Sequence, residues 1–444
     1  MIFISTRINF CDNCGARISE KANFCQNCGN KIVKNNETNK SLNPNVLEKS
    51  INTKIPVEII KLHLSQGVFY AMTGRKEEAI KEYNKLIELD PNFGPAYSSR
   101  GLVYINECKY QDAIKDFSRA IELDPDEFAY FNRGKAYENL GNFTYAITDY
   151  SRNIELAPEN IEAYLARSSC YYNIGMYDNS LNDLNEILKI DSNCMEAYFN
   201  RGLIYAIKGM YDNAIKDFSN AIKINPNFSD IYNKRGFIYD KTNQPNLAIN
   251  DFNKAIELDP ENAEVFYNRG STYGSIGQYD LAINDFNRAI EINPNKSEYY
   301  YLRGGAYDSK KEYDLAIEDF TKTIELDPDV FIAYFVRGNA YFNKNKYIKA
   351  CEDYTKVIEN DPNFSAAYYN RGLIFRKRGD IKLAENDFNE AKKLGFVFPD
   401  IDITKFKCMN CDRKETEDNK LIHYGDGEYI CSYCMEEDTG EPDD

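Results

Sequence analysis

The sequence predicts an all-α fold, an α-solenoid of about ten stacked helix pairs held between two small metal-binding modules. Three observations carry that prediction. A 34-residue unit recurs ten times, starting at 60, 94, 127, 161, 195, 229, 263, 297, 331 and 365, with one loop shorter by a residue between Pro125 and Gly134. Each unit holds two runs of apolar residues at helical spacing, separated by a glycine-marked turn and closed by a proline-marked one. At both ends of the chain, cysteines occur as pairs of Cys-x-x-Cys.

Composition sets the outer bounds. The apolar fraction of 43% is near the globular norm, so the chain can bury a core. No apolar run approaches the roughly 18 residues of a membrane span, and Met1 to Phe10 is too short and polar for a signal peptide. The expected setting is therefore cytoplasmic and reducing, where 12 cysteines point to metal ligands and free thiols before disulfides. With 70 acidic against 54 basic side chains the net charge is −16, which argues against a nucleic-acid scaffold.

Taken in order, residues 1–33 contain Cys11-Asp-Asn-Cys14-Gly and Cys25-Gln-Asn-Cys28-Gly. Two such turns can present Cys11, Cys14, Cys25 and Cys28 as four thiolates in a tetrahedron, the usual way a structural zinc ion is closed off from water. Gly15 and Gly29 let the chain turn so that backbone amides reach the sulfurs. The segment resembles the short zinc-ribbon modules found at the termini of prokaryotic proteins. Residues 34–56, rich in Asn, Lys, Ser and Thr, read as a flexible tether.

Residues 57–398 carry the repeats. In the fifth copy, Glu196 to Lys208 is helical in pattern, Gly209 punctuates, Asp212 to Ile224 follows, and Asn225-Pro226 stops the run. Small residues stand where helices must approach, Gly202 and Ala214, and large ones flank them, Tyr198, Tyr205, Tyr211 and Phe218. Over all copies those four large positions hold 26 of the 35 tyrosines, so the aromatic excess is mainly packing. The pattern resembles the tetratricopeptide repeat family, as in Tyr97, Gly101, Tyr104, Ala113, Phe117, Ala120 and Pro125 of the second copy. That resemblance implies antiparallel helix pairs stacked in a right-handed superhelix, with the first helices lining a concave groove. The fourth copy departs from it at Ser168, Ser180 and Ser192, and the sixth at Pro245, so these two copies are expected to be looser.

One recurrence lies outside the general family pattern. Position 7 is Arg and position 23 is Asp in the same nine copies, while the first copy has Gln66 and Glu82. Paired variation of this kind predicts a ladder of Arg–carboxylate pairs between helices, within or between copies. It also removes these arginines from the candidate ligand-binding residues.

If the family geometry holds, positions 2, 5, 9, 12 and 13 face the groove. Position 5 is aromatic in six copies, at Phe131, Phe199, Tyr267, Tyr301, Phe335 and Tyr369, and an exposed aromatic row marks a binding surface. Asn139, Asn173, Asn339 and Asn343 lie between them and can hydrogen-bond a peptide backbone. The expected occupant is a peptide or protein with apolar anchors; self-association and plain intra-repeat packing are the alternatives. No copy has Lys at position 5, so the clamp some relatives use for acidic tails is missing.

At the far end, residues 399–436 hold Cys408-Met-Asn-Cys411 and Cys431-Ser-Tyr-Cys434, a second four-thiolate set with zinc-finger spacing. Leu421 to Tyr424 and Glu428 to Cys431 are expected to form a hairpin around Gly425-Asp-Gly427, with His423 on its surface or, alternatively, replacing a cysteine ligand. Rubredoxin-like iron, a redox dithiol and a ligase-type finger are the rivals, and the last would need eight interleaved ligands. Residues 437–444 read as an acidic tail. Residues 1–59 carry a net +3 and residues 400–444 a net −9.

No phosphate-binding loop, hydrolase elbow or His-rich site is present, and closed four-thiolate sites leave no position for a substrate. The reading is a non-enzymatic interaction scaffold with two structural zinc ions, its zinc modules docking partners or capping the solenoid. The segment from Phe396 to Pro399 is expected to pack the second finger on the last repeat. The alternative is a nucleic-acid-associated regulator working through the first ribbon, with the repeats as assembly platform.

Overall fold

The computed structural model describes residues 56–397 and the backbone of two strands, 421–425 and 428–431. The cysteines Cys11, Cys14, Cys25, Cys28, Cys408, Cys411 and Cys434, and the side chain of Cys431, lie outside the described residues. So do the segments assigned to the ribbon, the tail and nearly all of the tether.

The chain divides into two compact units, Met1–Glu261 and Asn262–Asp444. The first holds α1 (Val57–Met72), α2 (Lys76–Leu89), α3 (Gly94–Asn106), α4 (Tyr110–Leu123), α5 (Glu127–Asn139) and α6 (Phe143–Leu156). It continues with α7 (Ile161–Asn173), α8 (Tyr177–Ile190), α9 (Met195–Ile207), α10 (Tyr211–Ile224), α11 (Ser229–Lys241) and α12 (Pro245–Leu258). The second holds α13 (Ala263–Ser275), α14 (Tyr279–Ile292), α15 (Ser297–Ser309) and α16 (Tyr313–Leu326). It ends with α17 (Phe331–Asn343), α18 (Tyr347–Asn360), α19 (Ser365–Lys377) and α20 (Ile381–Lys393). In each unit successive helices pack pairwise, and each pair packs on the next, which is the solenoid the repeat predicted. The strands β1 (Leu421–Gly425) and β2 (Glu428–Cys431) pair antiparallel with His423 opposite Tyr429, so the predicted hairpin is present in the backbone.

The repeat code has local causes. First helices end where the chain turns through positive φ, at Gly74, Gly141, Gly175 and Gly209, with φ of 71–77°. Most second helices end at an Asp or Asn, whose side chain can accept an amide two residues on, as Asn92 N–H to Asp90 Oδ1 at 3.0 Å and Asn193 N–H to Asp191 Oδ1 at 2.8 Å. The glycine at position 8 makes room for the ring at position 24: a Cβ on Gly202 would come within 2.7 Å of Phe218, and one on Gly101 within 2.9 Å of Phe117.

The fourth copy packs its two helices least closely of the ten, as expected, while the sixth packs as closely as any. Ser168 replaces that glycine, but Leu184 replaces the ring facing it; both are fully buried, and the Ser180 hydroxyl donates to the Ser168 carbonyl at 2.8 Å. Pro245 is the first residue of α12, where an amide would have had no helical partner. Ser168 is matched by a change at a second position, whereas Pro245, expected between the helices, opens the second of them.

The last described helix differs from the earlier second helices. Positions 21 and 28 of the second helices are apolar and packed in the interior copies, as Ile114 and Ile121, Leu181 and Leu188, and Ile215 and Ile222. In α20 they are Glu385 and Lys392, both exposed. The last helix therefore finishes the array with a polar face. Phe396 stacks on Tyr369 with centroids 4.4 Å apart, just before the described chain stops at 397.

Candidate partner-binding surface

The arginine ladder is the scaffold on which the first helices are set. In each of the nine copies Nε and Nη2 of the arginine donate to the two carboxylate oxygens of its own copy's aspartate, from Arg100–Asp116 through Arg201–Asp217 to Arg371–Asp387. The two bonds measure 2.7 and 2.7 Å, 2.7 and 2.8 Å, and 2.8 and 2.9 Å in those three pairs. The remaining Nη1 reaches back to position 25 of the preceding copy, for example Arg133 to Ser118 at 3.0 Å, Arg201 to Asn185 at 2.6 Å and Arg337 to Thr321 at 3.1 Å. The ion pair thus lies within a copy and the third bond bridges two. Each guanidinium also sits near the ring three residues before it, 5.5 Å from Tyr198 for Arg201 and 5.7 Å from Tyr97 for Arg100. The hydrogen bond that Arg201 donates to Asp217 holds its guanidinium above the ordinary range.

The first copy solves the same problem differently. His63, at the aromatic position 4, is hydrogen-bonded through Nδ1 to Glu82 Oε2 at 2.6 Å, and Lys85 donates to Oε1 at 2.7 Å. Burial alone would raise the Glu82 carboxyl, but these two partners outweigh it and hold it below the usual carboxylate range.

The aromatic row at position 5 is not the exposed surface the sequence suggested. Phe199 is only 3% exposed, packed on Phe218 at 5.9 Å and on Phe228 at 5.4 Å. Phe131, Tyr267, Tyr301, Phe335 and Tyr369 are half-buried, each against the position-24 ring of its own copy at 5.7, 6.3, 6.0, 5.9 and 5.9 Å. Phe335 also meets Phe364 at 4.9 Å, so the ring ties one copy to the loop that follows it. Burial pushes the Tyr267 and Tyr301 hydroxyls up.

The asparagines divide. Asn339 is half-buried, and its Oδ1 accepts from the Tyr354 hydroxyl and from Asn370, both at 2.9 Å, so it serves the interior. Asn139 and Asn173 are exposed, each donating to the carbonyl four residues back, at 2.8 and 2.9 Å. Asn343 is exposed at the end of α17.

Apolar side chains are more exposed at other positions expected to face the groove, with the Lys241 ammonium 5.4 Å from the Phe237 ring centroid. Phe128 at position 2, Phe237 at position 9 and Ile207 at position 13 are 37%, 41% and 45% exposed. The same row of first helices presents Glu162, Glu196 and Asp230 at position 2. In the third copy Glu138, at position 12, accepts from the Tyr150 hydroxyl at 2.6 Å, and burial raises its carboxyl. The sequence did contain these residues at predicted groove positions; only the regularity of position 5 drew attention away from them.

The four cysteines inside the repeats are free thiols. Cys170 and Cys194 are buried, and burial pushes the Cys194 thiol up to about 12. Among the described residues no group of three or more metal-ligating side chains comes together. No described helix is long and apolar enough to cross a membrane.

A family model described as tetratricopeptide repeat matches residues 94–127, 128–160, 196–228, 263–296 and 297–330. Related tetratricopeptide repeat models match 60–93, 161–194, 218–250, 241–277, 338–379 and 365–394. A zinc-ribbon domain model matches 10–32, the stretch that contains Cys11, Cys14, Cys25 and Cys28. Four thiols in two Cys-x-x-Cys turns are the donor set a structural zinc ion requires. Among solved structures, the chain is similar to MamA at 33% identity, covering 38% of this chain and 92% of that one, with a TM-score of 0.36. It is similar to YrrB, described as a tetratricopeptide repeat protein with an unusual peptide-binding site, at 26% identity over 41% of this chain and 95% of that one, TM-score 0.37. It is also similar to the C-terminal part of a repeat protein from Cytophaga hutchinsonii, at 21% identity over 54% and 98%, TM-score 0.47. No curated protein matches the chain. With tetratricopeptide matches running over most of its length and a ribbon match ahead of them, the chain belongs to the tetratricopeptide repeat proteins and carries an N-terminal zinc-ribbon domain.

Proposed function

We propose that this protein is a non-enzymatic interaction scaffold that holds a peptide or protein partner along the first-helix face of its repeats. The observation that carries the reading is the exposure of Phe128, Ile207 and Phe237 at groove positions of one unit, beside the carboxylates Glu162, Glu196 and Asp230. Apolar anchors ringed by charge are the usual composition of a recognition surface. The partner this suits has apolar side chains flanked by basic ones. Exposed Asn139, Asn173 and Asn343 add hydrogen-bonding capacity for its backbone. The half-buried rings at Phe131, Tyr267, Tyr301, Phe335 and Tyr369 contribute edges to the surface, and Phe199 supports it from beneath.

The chain is divided in this proposal into a ribbon at 1–33, a tether at 34–56, the repeats at 57–398, a second four-cysteine module at 399–436 and a tail at 437–444. Zinc at Cys11, Cys14, Cys25 and Cys28, and at Cys408, Cys411, Cys431 and Cys434, would supply a covalent-like cross-link to modules too small to hold a core of their own.

The test combines Phe128→Ala, Ile207→Ala and Phe237→Ala in the full chain. The expected result is a loss of affinity-purified partner of about tenfold or more, with the melting curve unchanged. Phe199→Ala should instead lower stability by about 3–5 kcal/mol, because it opens a cavity under the same surface. Partner retained by the folded triple variant would sink the reading.

A further inference from the structure

The outer face of α1 is apolar and uncovered among the described residues. Leu62 and Phe69, at positions 3 and 10 of the first copy, are 51% and 58% exposed, and Ile59 and Met72 beside them are 38% and 75% exposed. In the five following copies the same two positions are shut in by the preceding helix pair. Ala96, Ala129, Ala163, Ala197 and Ile231 are 0% exposed, and Val103, Ala136, Cys170, Ile204 and Ile238 are 0–3% exposed. The face is thus an inter-repeat face without its neighbour. The last described helix has the reverse character, with Glu385 and Lys392 at its interface positions.

We infer that this face is the docking site of the chain's own zinc ribbon, residues 10–32. Three features of the molecule select that occupant. First, the last described helix presents Glu385 and Lys392 at its interface positions, so the C-terminal end of a second copy offers this apolar face no match. Second, the ribbon is attached beside the site. Residues 33–55 can extend to about 75 Å, against about 24 Å for the 16 residues of α1, so the ribbon can reach Phe69 and Met72. Tethering gives it an effective concentration in the millimolar range. Third, two copies of the acidic array repel each other, whereas residues 10–32 carry a net +1.

The test uses the full zinc-loaded chain with Phe69 replaced by the photocrosslinker p-benzoylphenylalanine, in an equal mixture of isotopically light and heavy protein. The expected adducts join position 69 to peptides of 10–32 within one chain, and the same crosslinker in place of Glu385 gives none. Adducts only between light and heavy chains would overturn the inference in favour of self-association, as would no ribbon adduct at all or an equal yield from position 385. A second measurement guards against a misplaced probe. Phe69→Ser with Met72→Ser alters exposed side chains only, and should lower hydrogen-exchange protection of α1 by about tenfold. Zinc chelation should do the same to the unaltered chain, and chelating the variant should add nothing. Protection of α1 unchanged by either treatment would overturn the inference.

Discussion

Arg201 shows what one position does in this array. Its guanidinium spends two donors on Asp217, whose side chain is 3% exposed, and a third on Asn185 of the copy before. Only arginine has a planar fork long enough for all three. Arg201→Ala would leave the Asp217 carboxylate buried and unpaired, with an expected cost of about 3–5 kcal/mol by chemical denaturation. Arg201→Lys should fall between, since an ammonium can meet the carboxylate but not the second copy. Arg201→Met combined with Asp217→Leu should recover most of the loss, because no buried charge then remains. A cost below about 1 kcal/mol for Arg201→Ala would mean the pair behaves as a solvated surface pair and not as a staple.

At the scale of the helix pair, positions 8 and 24 form one unit of packing. Nine copies use glycine with a ring, and the fourth uses Ser168 with Leu184. Gly202→Ser in the fifth copy should therefore destabilise by about 1–3 kcal/mol, since its Cβ would lie 2.7 Å from Phe218, and adding Phe218→Leu should restore much of it. Equal melting of single and double variants would refute the coupling. The same pair explains how much could be read beforehand. Ten registers average away local noise, so helices, turns and the Arg–Asp ladder were legible from recurrence alone. Exposure at position 5 was not, because periodicity places Phe199 on a face without saying that Phe228, from the loop after α10, will cover it. Compensations such as Ser168 with Leu184 were missed for the same reason: they live in pairs of positions, and single-position patterns register only the departure.

At the scale of the whole chain, the interface positions of α20 determine where stacking stops. Ile at positions 21 and 28 lets one helix pair receive the next, while Glu385 and Lys392 present charges to any copy that would try to stack there. Placing apolar residues at those sites would give α20 the receiving face of an interior copy. Glu385→Ile with Lys392→Ile should then give a chain that associates through α20. Such a contact joins two unlike surfaces and does not close on itself if it finds the apolar face of α1, so oligomers of increasing length are expected. If the ribbon already occupies α1, the new surface has only its own counterpart to meet, and growth should halt at dimers joined α20 to α20. Sedimentation of the double variant with and without zinc distinguishes these outcomes: dimers with zinc and longer species after chelation follow from a covered α1. A variant that remains monomeric in both conditions would show that the polar residues of α20 are not what ends the array.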